Sequence, residues 1–444
     1  MSIENIIKEL NNLPRGYISK KNIKGKEYSY LQSMQDGKIQ SIYLRESELD
    51  RYTEGIKRRK ELEQQLRELQ EQGKNAASVS KRAREMTGSL MSGDIEVARF
   101  ERGEMTFCNE NMAPLMLVRT KSVSTFLASR AIDSSRTNSR LLKKALDIHG
   151  EPDEVVSLYA HGATITDNYW FKPKGSKLKY DDICFDSDAY SEIALNGQIL
   201  IYNKRSKLTP QLTLGGSYEK CWKLIGGEWW MYKRGSETEI LSELISSHIA
   251  ELIGISTAYY EYANGDIRTR NFADKYNFEP MSSVVGEDDR TDSVYDALCN
   301  ISEDIAKDYL KLIIFDAIVK NEDRHNENCG LMRDKKTGKI VGLAPNFDNN
   351  ISLFSRSTTL NMDPSKDGLI QYLLKFVNSR SDVAEVCSQL ELTKLFTKTV
   401  LECIETVDAS VIDEHGCVEL CHNINRRELA EFISARSRYV LSQL

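Results

Sequence analysis

The feature that most constrains this chain is a polar loop that follows a buried helix. The run from Tyr309 to Val319 places apolar residues at positions 310, 313, 314, 317 and 318, which is one face of a helix. The next segment, Asn321–Asn328, is polar throughout and carries Asp323 five residues before an Asn. A second carboxylate, Asp348, follows after a stretch typical of a hairpin. The pattern predicts a polar loop that is positioned by a core helix.

These side chains match what phosphoryl transfer from ATP needs. One carboxylate orients the attacking hydroxyl, while an amide oxygen and a second carboxylate hold the Mg²⁺ ions that neutralise the phosphates. We assign Asp323 to the first role, and Asn328 and Asp348 to the metal. The alternative is a loop whose Asp and Asn side chains cap turns, as these residues often do. We favour the ATP site because several kinase elements occur in the required order.

The motif Asp-Arg-His-x-x-Asn at 323–328, followed by Phe347-Asp348, resembles the catalytic and metal loops of HipA-like bacterial serine/threonine kinases. The resemblance extends upstream through residues 241–255 and, more weakly, to about residue 95. It implies a bilobal, protein-kinase-like fold, ATP and Mg²⁺ as cofactors, and an antitoxin or other regulatory partner. His325 would support the loop or contact the metal-bound phosphate, with a purely structural role as the alternative. The short motif is also similar to the catalytic loop of phosphoinositide-type lipid kinases.

Length and composition limit the classes of protein to which this chain can belong. With 444 residues the chain is too long for one compact core, so two or three domains are expected. The net charge of −6 is mild and does not decide whether nucleic acid binds. Nine cysteines without a repeated spacing indicate a reducing cytosol. No apolar run approaches the ~20 residues of a membrane helix, and the start lacks a signal-peptide pattern, so we expect a cytoplasmic protein without a membrane partner.

Five regions follow from the changes in composition and pattern along the chain. The class is α+β, and the predicted regions are a β-hairpin plus long-helix module at 1–75, a linker at 76–93, an accessory α+β region at 94–199, a β-rich kinase N-lobe at 200–275 and a helical C-lobe at 276–444.

The first module has a basic and a hairpin-forming part. Residues 11–26 carry five basic and no acidic side chains. Two alternating runs, 26–32 and 38–44, are joined through Asp36-Gly37 and predict a β-hairpin, and residues 46–72 predict a long polar helix. The module either binds nucleic acid or a partner, or is a solvated hairpin that packs on its own helix.

Two glycine pairs mark the predicted nucleotide site. Gly226-Gly227 lies between apolar strands, which is a signal for a two-residue hairpin turn. Lys233 closes the second strand, where kinases place the lysine that binds the α- and β-phosphates. Upstream, Gly215 and Gly216, with Ser217 beside them, would lie over the phosphates because no Cβ blocks their N–H groups. A shifted strand register would give the lysine role to Lys220 or Lys223 instead.

Two further ATP-site residues come from the resemblance. Glu243 lies in a predicted amphipathic helix over 239–252 and matches the glutamate that pairs with the nucleotide lysine, here Lys233. The alternatives are an exposed helix charge at this position or one of three competing glutamates, Glu237, Glu239 and Glu251. The run Ile267–Phe272 resembles the strand that becomes the hinge under adenine. Phe272 either contacts the base or belongs to the core.

The resemblance also implies self-modification at the phosphate loop. Thr213 occupies the position of a serine that can be autophosphorylated in HipA-like proteins, and Ser217 lies four residues further on. A phosphate on either hydroxyl would add close to two negative charges beside the ATP phosphates and inhibit nucleotide binding. Rival sites follow the metal loop at Ser355, Ser357, Thr358 and Thr359.

The favoured function is an ATP- and Mg²⁺-dependent kinase that transfers the γ-phosphate to Ser or Thr of a protein, itself included. A small-molecule or lipid kinase would share this chemistry, although Arg356 alone is basic between Ser352 and Pro364, which ranks the lipid substrate lower. A third alternative is a toxin or regulatory module in which a kinase fold binds DNA or a partner. The phosphorylated target cannot be read from the sequence.

Overall fold

The computed structural model describes residues 86–198 without 102, then 208–356, 360–411 and 425–444, together with parts of 9–62. The chain divides into two compact units, Met1–Met86 and Thr87–Leu444. The second unit contains antiparallel sheets and separate runs of helices, which confirms the α+β class. Among the described residues no helix has the length and apolar character needed to cross a membrane.

In the first unit three antiparallel strands form a sheet in the order β1-β2-β3. They are β1 (Tyr17–Ile23), β2 (Lys26–Gln35) and β3 (Lys38–Leu44). The predicted hairpin is confirmed as β2 and β3, which pair Tyr30 with Tyr43. Strand β1 was not predicted because its lysine-rich run has no apolar alternation. Of the predicted helix over 46–72, residues 47–49 and 51–59 are helical, and most of the remainder lies outside the described residues.

Three sheets build the β-structure of the second unit. The first has the order β6-β5-β4-β7, the second β10-β11-β9-β8 and the third β12-β13-β14. Part of the stretch 76–93, which was predicted to be a linker, instead forms strand β4. This strand pairs with β5 on one side and with β7 on the other. The bounds are β4 Gly88–Ser92, β5 Ile95–Glu101, β6 Glu104–Phe107, β7 Tyr169–Pro173, β8 Lys220–Ile225, β9 Glu228–Lys233, β10 Tyr260–Ala263, β11 Asp266–Arg270, β12 Tyr276–Pro280, β13 Gly330–Asp334 and β14 Ile340–Leu343.

The helices of the second unit that precede the β8–β9 hairpin have at most nine residues, whereas those that follow it include all the helices of eleven or more residues among the described residues. Their bounds are α1 Leu115–Thr120, α2 Val123–Ala128, α3 Thr137–Ala145, α4 Asp153–Leu158, α5 Tyr180–Ile183, α6 Ser191–Asn196, α7 Glu237–Leu252, α8 Ser282–Val285, α9 Thr291–Ile301, α10 Glu303–Val319, α11 Gly368–Asn378, α12 Val383–Gln389, α13 Thr397–Ser410 and α14 Arg426–Gln443. Single 3₁₀ turns lie at Glu110–Met112, Pro210–Thr213, Pro364–Lys366 and Leu392–Lys394.

Helix α10 is the predicted core helix, and it extends six residues further towards the N-terminus than the apolar run alone indicated. Its side chains at 310, 313, 314, 317 and 318 are at most 2% exposed. They pack in one hydrophobic core with residues of α7, α9, α11 and α14. Burying each leucine or isoleucine of this set contributes about 1.5–3 kcal/mol. The core therefore holds the end of α10, and the loop that follows starts from a fixed position.

Candidate active site

A cavity of about 460 Å³ brings the predicted site residues together. Its walls come from strands β8, β9 and β11, the loop before β8, and the loops after α10 and β14. Of the predicted set, Glu243 is the one residue that does not line it. The predicted site residues that line the cavity are Thr213, Gly215, Gly216, Ser217, Lys233, Phe272, Asp323, His325, Asn328 and Asp348.

A hydrogen bond from the Asp323 backbone holds the loop after α10, and the Asp323 carboxylate stays accessible to solvent. Helix α10 ends at Val319 and is followed by Lys320, which caps it in the left-handed conformation. The next residue, Asn321, accepts a hydrogen bond from the Asp323 N–H at 3.0 Å and donates to Asp316 at 3.0 Å. The Asp323 side chain is 36% exposed and lies 4.0 Å from His325 Nε2. The loop therefore positions a carboxylate that solvent or a substrate can reach.

Arg324 joins this loop to the loop that carries Asp348. Its guanidinium makes two bonds to the buried Asp316 carboxylate, at 3.0 and 2.9 Å. It also donates to the carbonyl oxygens of Asn328, at 2.6 Å, and Phe347, at 3.0 Å. Further bonds reach the side chains of two asparagines that flank Asp348, Asn346 and Asn349. The motif pointed to Asp323, but it is the arginine beside it that fixes both loops, and no local pattern reveals this.

Asp348 has an uncommon backbone conformation and a carboxylate that contacts a lysine. Its φ is +59°, in the left-handed region that non-glycine residues seldom adopt. Its N–H donates to the Tyr260 hydroxyl at 3.1 Å, and its carboxylate forms an ion pair with Lys233. Burial alone would raise the pKa of Asp348, but the positive charges of Lys233 and Lys220 hold it below its ordinary value. Asp348 is therefore ionised at neutral pH, as a metal ligand must be.

The predicted pair between Glu243 and Lys233 is replaced by a different arrangement. Lys233 contacts Asp348, and Glu243 instead accepts hydrogen bonds from the backbone and side chain of Asn349, at 2.9 and 3.2 Å. Glu243 is 1% exposed. Burial, followed by repulsion from Asp348, raises its pKa to about 7. Because the two carboxylates compete for one lysine, the ion pair forms with Asp348 and the amide of Asn349 satisfies Glu243.

The strand register separates the three candidate lysines. Lys220 and Lys233 are paired across β8 and β9, so both side chains lie on the face of the sheet that lines the cavity. Lys223 lies on the other face and pairs with Glu192 at 2.7 Å. Burial, with repulsion from Arg136 as the next cause, lowers the pKa of Lys220 to about 7. The cavity thus contains two lysines rather than the single one that the strand pattern favoured.

The loop before β8 is anchored over Lys233. The Tyr218 hydroxyl donates to Glu239 in the first turn of α7 at 2.5 Å, and Lys233 Nζ lies 4.5 Å from the centre of the Tyr218 ring. Ser217 is exposed, whereas Thr213 is buried and donates to the carbonyl of Pro210 at 3.3 Å. Of the two predicted phosphorylation sites in this loop, Ser217 is the accessible one. Three of the four rival positions, 357–359, lie outside the described residues.

An aromatic cluster forms part of the cavity wall. The rings of Phe272, Phe278 and Phe347 have centroids 5.5–5.6 Å apart. Phe272 follows β11, the strand predicted to form the adenine hinge. Phe272 therefore belongs to a packed cluster and also lines the cavity, and its contact with a base stays a prediction.

The donor set around Asp348 suits a magnesium ion bound together with phosphates. Asn328 and Asp348 supply one amide and one carboxylate, and Asn328 Nδ2 donates to the Asp323 carbonyl at 2.9 Å, so its oxygen is the remaining ligand atom. Within the described residues no group of three or more His, Cys, Asp or Glu side chains could hold a metal by itself. Mg²⁺ typically takes one or two protein oxygens and completes its shell with substrate phosphates and water, so the residues fit this ion.

The two loop glycines should differ in their tolerance of a side chain. Gly216 has φ +84°, and a Cβ there would lie 2.6 Å from Lys220 Nζ, whereas a Cβ on Gly215 would meet nothing within 4 Å. We expect Gly216→Ala to weaken ATP binding about tenfold, since backbone strain of about 1–2 kcal/mol would distort the loop. Gly215→Ala is the matched control. Equal ATP affinities of the two variants in calorimetry would contradict this geometry.

Similarity of this chain to known proteins is found among solved structures. No protein-family model matches it, and no curated protein does. Among solved structures it is similar to the Shewanella oneidensis MR-1 toxin–antitoxin complex of HipA, HipB and operator DNA, with a TM-score of 0.51, 14% identity, and coverage of 80% of this chain and 98% of that chain. The proinflammatory kinase CtkA of Helicobacter pylori also matches, with a TM-score of 0.31, 18% identity, and coverage of 51% and 90%. The fold is a kinase-like α+β fold.

Proposed function

We propose that this protein transfers the γ-phosphate of Mg·ATP to a serine or threonine hydroxyl of a protein. The observation that carries the proposal is that one cavity contains Asp323, Asn328 and Asp348 together with two lysines and a glycine-containing loop. Each of these side chains corresponds to a separate requirement of phosphoryl transfer. A loop whose polar residues only capped turns would not need a lysine pair on the facing sheet.

The proposed roles follow from contacts and exposure. Asp323 orients the substrate hydroxyl and accepts its proton, because its carboxylate is accessible while its backbone is held by Asn321. Mg²⁺ bound by Asn328 and Asp348 would neutralise charge on the phosphates. Lys233 binds the phosphates. To do so, its ammonium group gives up its ion pair with Asp348. Glu243 holds Asn349 and thereby the metal loop, and His325 supports the catalytic loop or contacts a phosphate.

The lowered pKa of Lys220 should make the proposed ATP binding depend on pH. Its pKa of about 7 in the free protein means that it is mostly neutral at pH 8, and bound phosphates would favour its charged form. We expect ATP binding at pH 8 to take up roughly one proton, and binding at pH 6 to take up almost none. Calorimetry in buffers of different ionisation enthalpy measures this uptake. Glu243, whose pKa is also about 7, contributes to the net proton exchange in all variants, so Lys220→Met should lower the uptake at pH 8 by close to one proton and Lys223→Met should leave it unchanged. Equal uptake by all three proteins would refute the role of Lys220.

The substrate class is tested with the intact protein. Purified protein is incubated with Mg·ATP and its phosphosites are mapped by mass spectrometry, and the phosphoproteomes of cells expressing the wild type and Asp323→Ala are compared. New phosphoserine or phosphothreonine that requires Asp323 would support a protein kinase. Transfer confined to lipids or small molecules would favour the alternative kinases. If the protein modifies itself, we expect phosphate on the exposed Ser217 rather than on the buried Thr213.

A regulatory partner is a further part of the proposal. The HipA of the similar structure is in a complex with HipB and operator DNA. In this chain the five basic residues of 11–26 make the first module the candidate surface for a nucleic acid or antitoxin partner. Binding of the full chain to duplex DNA that weakens steeply with salt, and that is lost when Lys20, Lys21 and Lys24 are replaced by Ala, would support DNA as the partner.

A further inference from the structure

Arg136 is a buried cation whose interactions are directed at one short loop. It precedes α3 in the accessory part of the second unit and is 2% exposed. Within the described residues no carboxylate lies within ion-pair distance of its guanidinium, in contrast to the buried Arg130, Arg324 and Arg333. Burial lowers the pKa of Arg136 to about 10. The charges of Glu219 and Asp133 oppose this lowering, but neither carboxylate forms an ion pair with Arg136, so the groups in direct contact with its guanidinium are neutral carbonyls.

The guanidinium contacts the carbonyl oxygens of successive residues in the loop before β8. Nε donates to Gly216 at 2.7 Å, and Nη2 donates to Leu214 at 2.6 Å and to Gly215 at 2.7 Å. Nη1 reaches the carbonyl of Lys220 at 3.4 Å. A planar guanidinium has five donors in a rigid fork, so a single arginine can hold several carbonyls at once. Eighty residues of sequence separate Arg136 from Gly216.

Fixing these carbonyls also fixes the direction of the N–H groups. In a trans peptide the C=O and the next N–H point to opposite sides, and the chain has no cis peptide bond among its described residues. The carbonyls of 214, 215 and 216 point to Arg136, so the N–H groups of Gly215, Gly216 and Ser217 point away from it. In the described structure these three N–H groups donate no backbone hydrogen bond. Successive free N–H groups form the kind of concavity that binds anions.

We propose that Arg136 is a positioning residue for the nucleotide phosphates. It holds Leu214–Gly216 in the conformation in which the following N–H groups receive phosphate oxygens, and so makes nucleotide affinity depend on the accessory region. The inference rests on the proposed ATP site. Arg136 does not touch the ligand, and its effect is confined to interactions that need a phosphate.

The test compares ATP with adenosine, which occupies the base pocket but has no phosphates. Affinities of the full chain for both are measured by calorimetry for the wild type, Arg136→Met, Arg136→Lys and Arg140→Met. Arg140 lies on α3 with an exposed side chain and is the matched control. We expect Arg136→Met to weaken ATP binding about tenfold or more and to leave adenosine binding within about twofold, because only the preorganised loop is lost.

Arg136→Lys keeps the charge but not the fork, so we expect ATP affinity between those of the wild type and Arg136→Met. It is also the deciding variant if Arg136→Met does not fold. Unchanged ATP affinity in a folded Arg136 variant would overturn the inference, as would an equal loss for ATP and adenosine, which indicates a general structural defect. A wild type that binds neither ligand would instead overturn the proposed function itself.

Discussion

Replacing Asp323 by Ala is expected to lower phosphoryl transfer by about 10²–10⁴-fold while ATP affinity stays within about twofold, since positioned acid–base groups contribute rates of that size. The loss follows because the accessible Asp323 carboxylate lines the cavity at the position proposed to orient the substrate hydroxyl. Binding is retained because Asn321 and Arg324 hold the loop through its backbone and through other side chains. Single-turnover transfer of γ-phosphate and calorimetry with ATP measure the two quantities separately.

Glu327 provides the control for this prediction. It is exposed and lines the same cavity in the same loop, so Glu327→Ala removes a similar charge from the same surroundings. We expect its transfer rate to remain within a fewfold of the wild-type rate. Undiminished transfer by Asp323→Ala, or an equal loss in Glu327→Ala, would show that Asp323 is not the residue that orients the hydroxyl.

Replacing Arg324 by Met is expected to lower the free energy of unfolding by about 3–5 kcal/mol, as breaking a buried ion pair commonly does. The side chains of Arg324 and Asp316 are 6% and 1% exposed, so the substitution leaves a buried carboxylate without its partner. It also removes the bonds to the Asn328 and Phe347 carbonyls that join the two loops. Urea unfolding measures the change.

An exposed ion pair gives the matched control for Arg324. Arg290 makes a two-pronged contact with Asp288 at the surface, and Arg290→Met should leave the unfolding midpoint unchanged. The double variant Asp316→Asn with Arg324→Met should be more stable than the sum of the two single losses predicts, because the unpaired charge is gone. A stable Arg324→Met protein that keeps full activity would contradict the bridging role.

Local patterns predicted the parts of the site that depend on local spacing. The apolar period of α10 predicted its buried face, and Gly226-Gly227 predicted the β8–β9 turn, where both glycines have positive φ. The alternation of side chains across a strand could not distinguish Lys220 from Lys233, because their pairing places both on one face. The three-dimensional arrangement was needed to exclude Lys223, whose partner Glu192 lies on α6.

Contacts between distant residues were not predictable from the pattern. Arg136 is 80 residues from the loop that it holds, and the bonds of Arg324 to Asn346 and Asn349 join loops separated by two strands. The preference of Lys233 for Asp348 over Glu243 depends on burial and on the position of Asn349, which no spacing rule contains. Strand β1 was missed because its pairing with β2, rather than an apolar period, defines it.

The central claim is that this cavity transfers the terminal phosphate of ATP rather than another part of the nucleotide. The most direct measurement incubates the purified protein and its substrates with Mg²⁺ and ATP radiolabelled either at the γ-phosphate or at the α-phosphate. We predict protein-bound label from γ-labelled ATP alone, and its loss in Asp348→Asn and when the metal is chelated. Label from α-labelled ATP, which marks nucleotidyl transfer, or no label from either nucleotide, would contradict the claim.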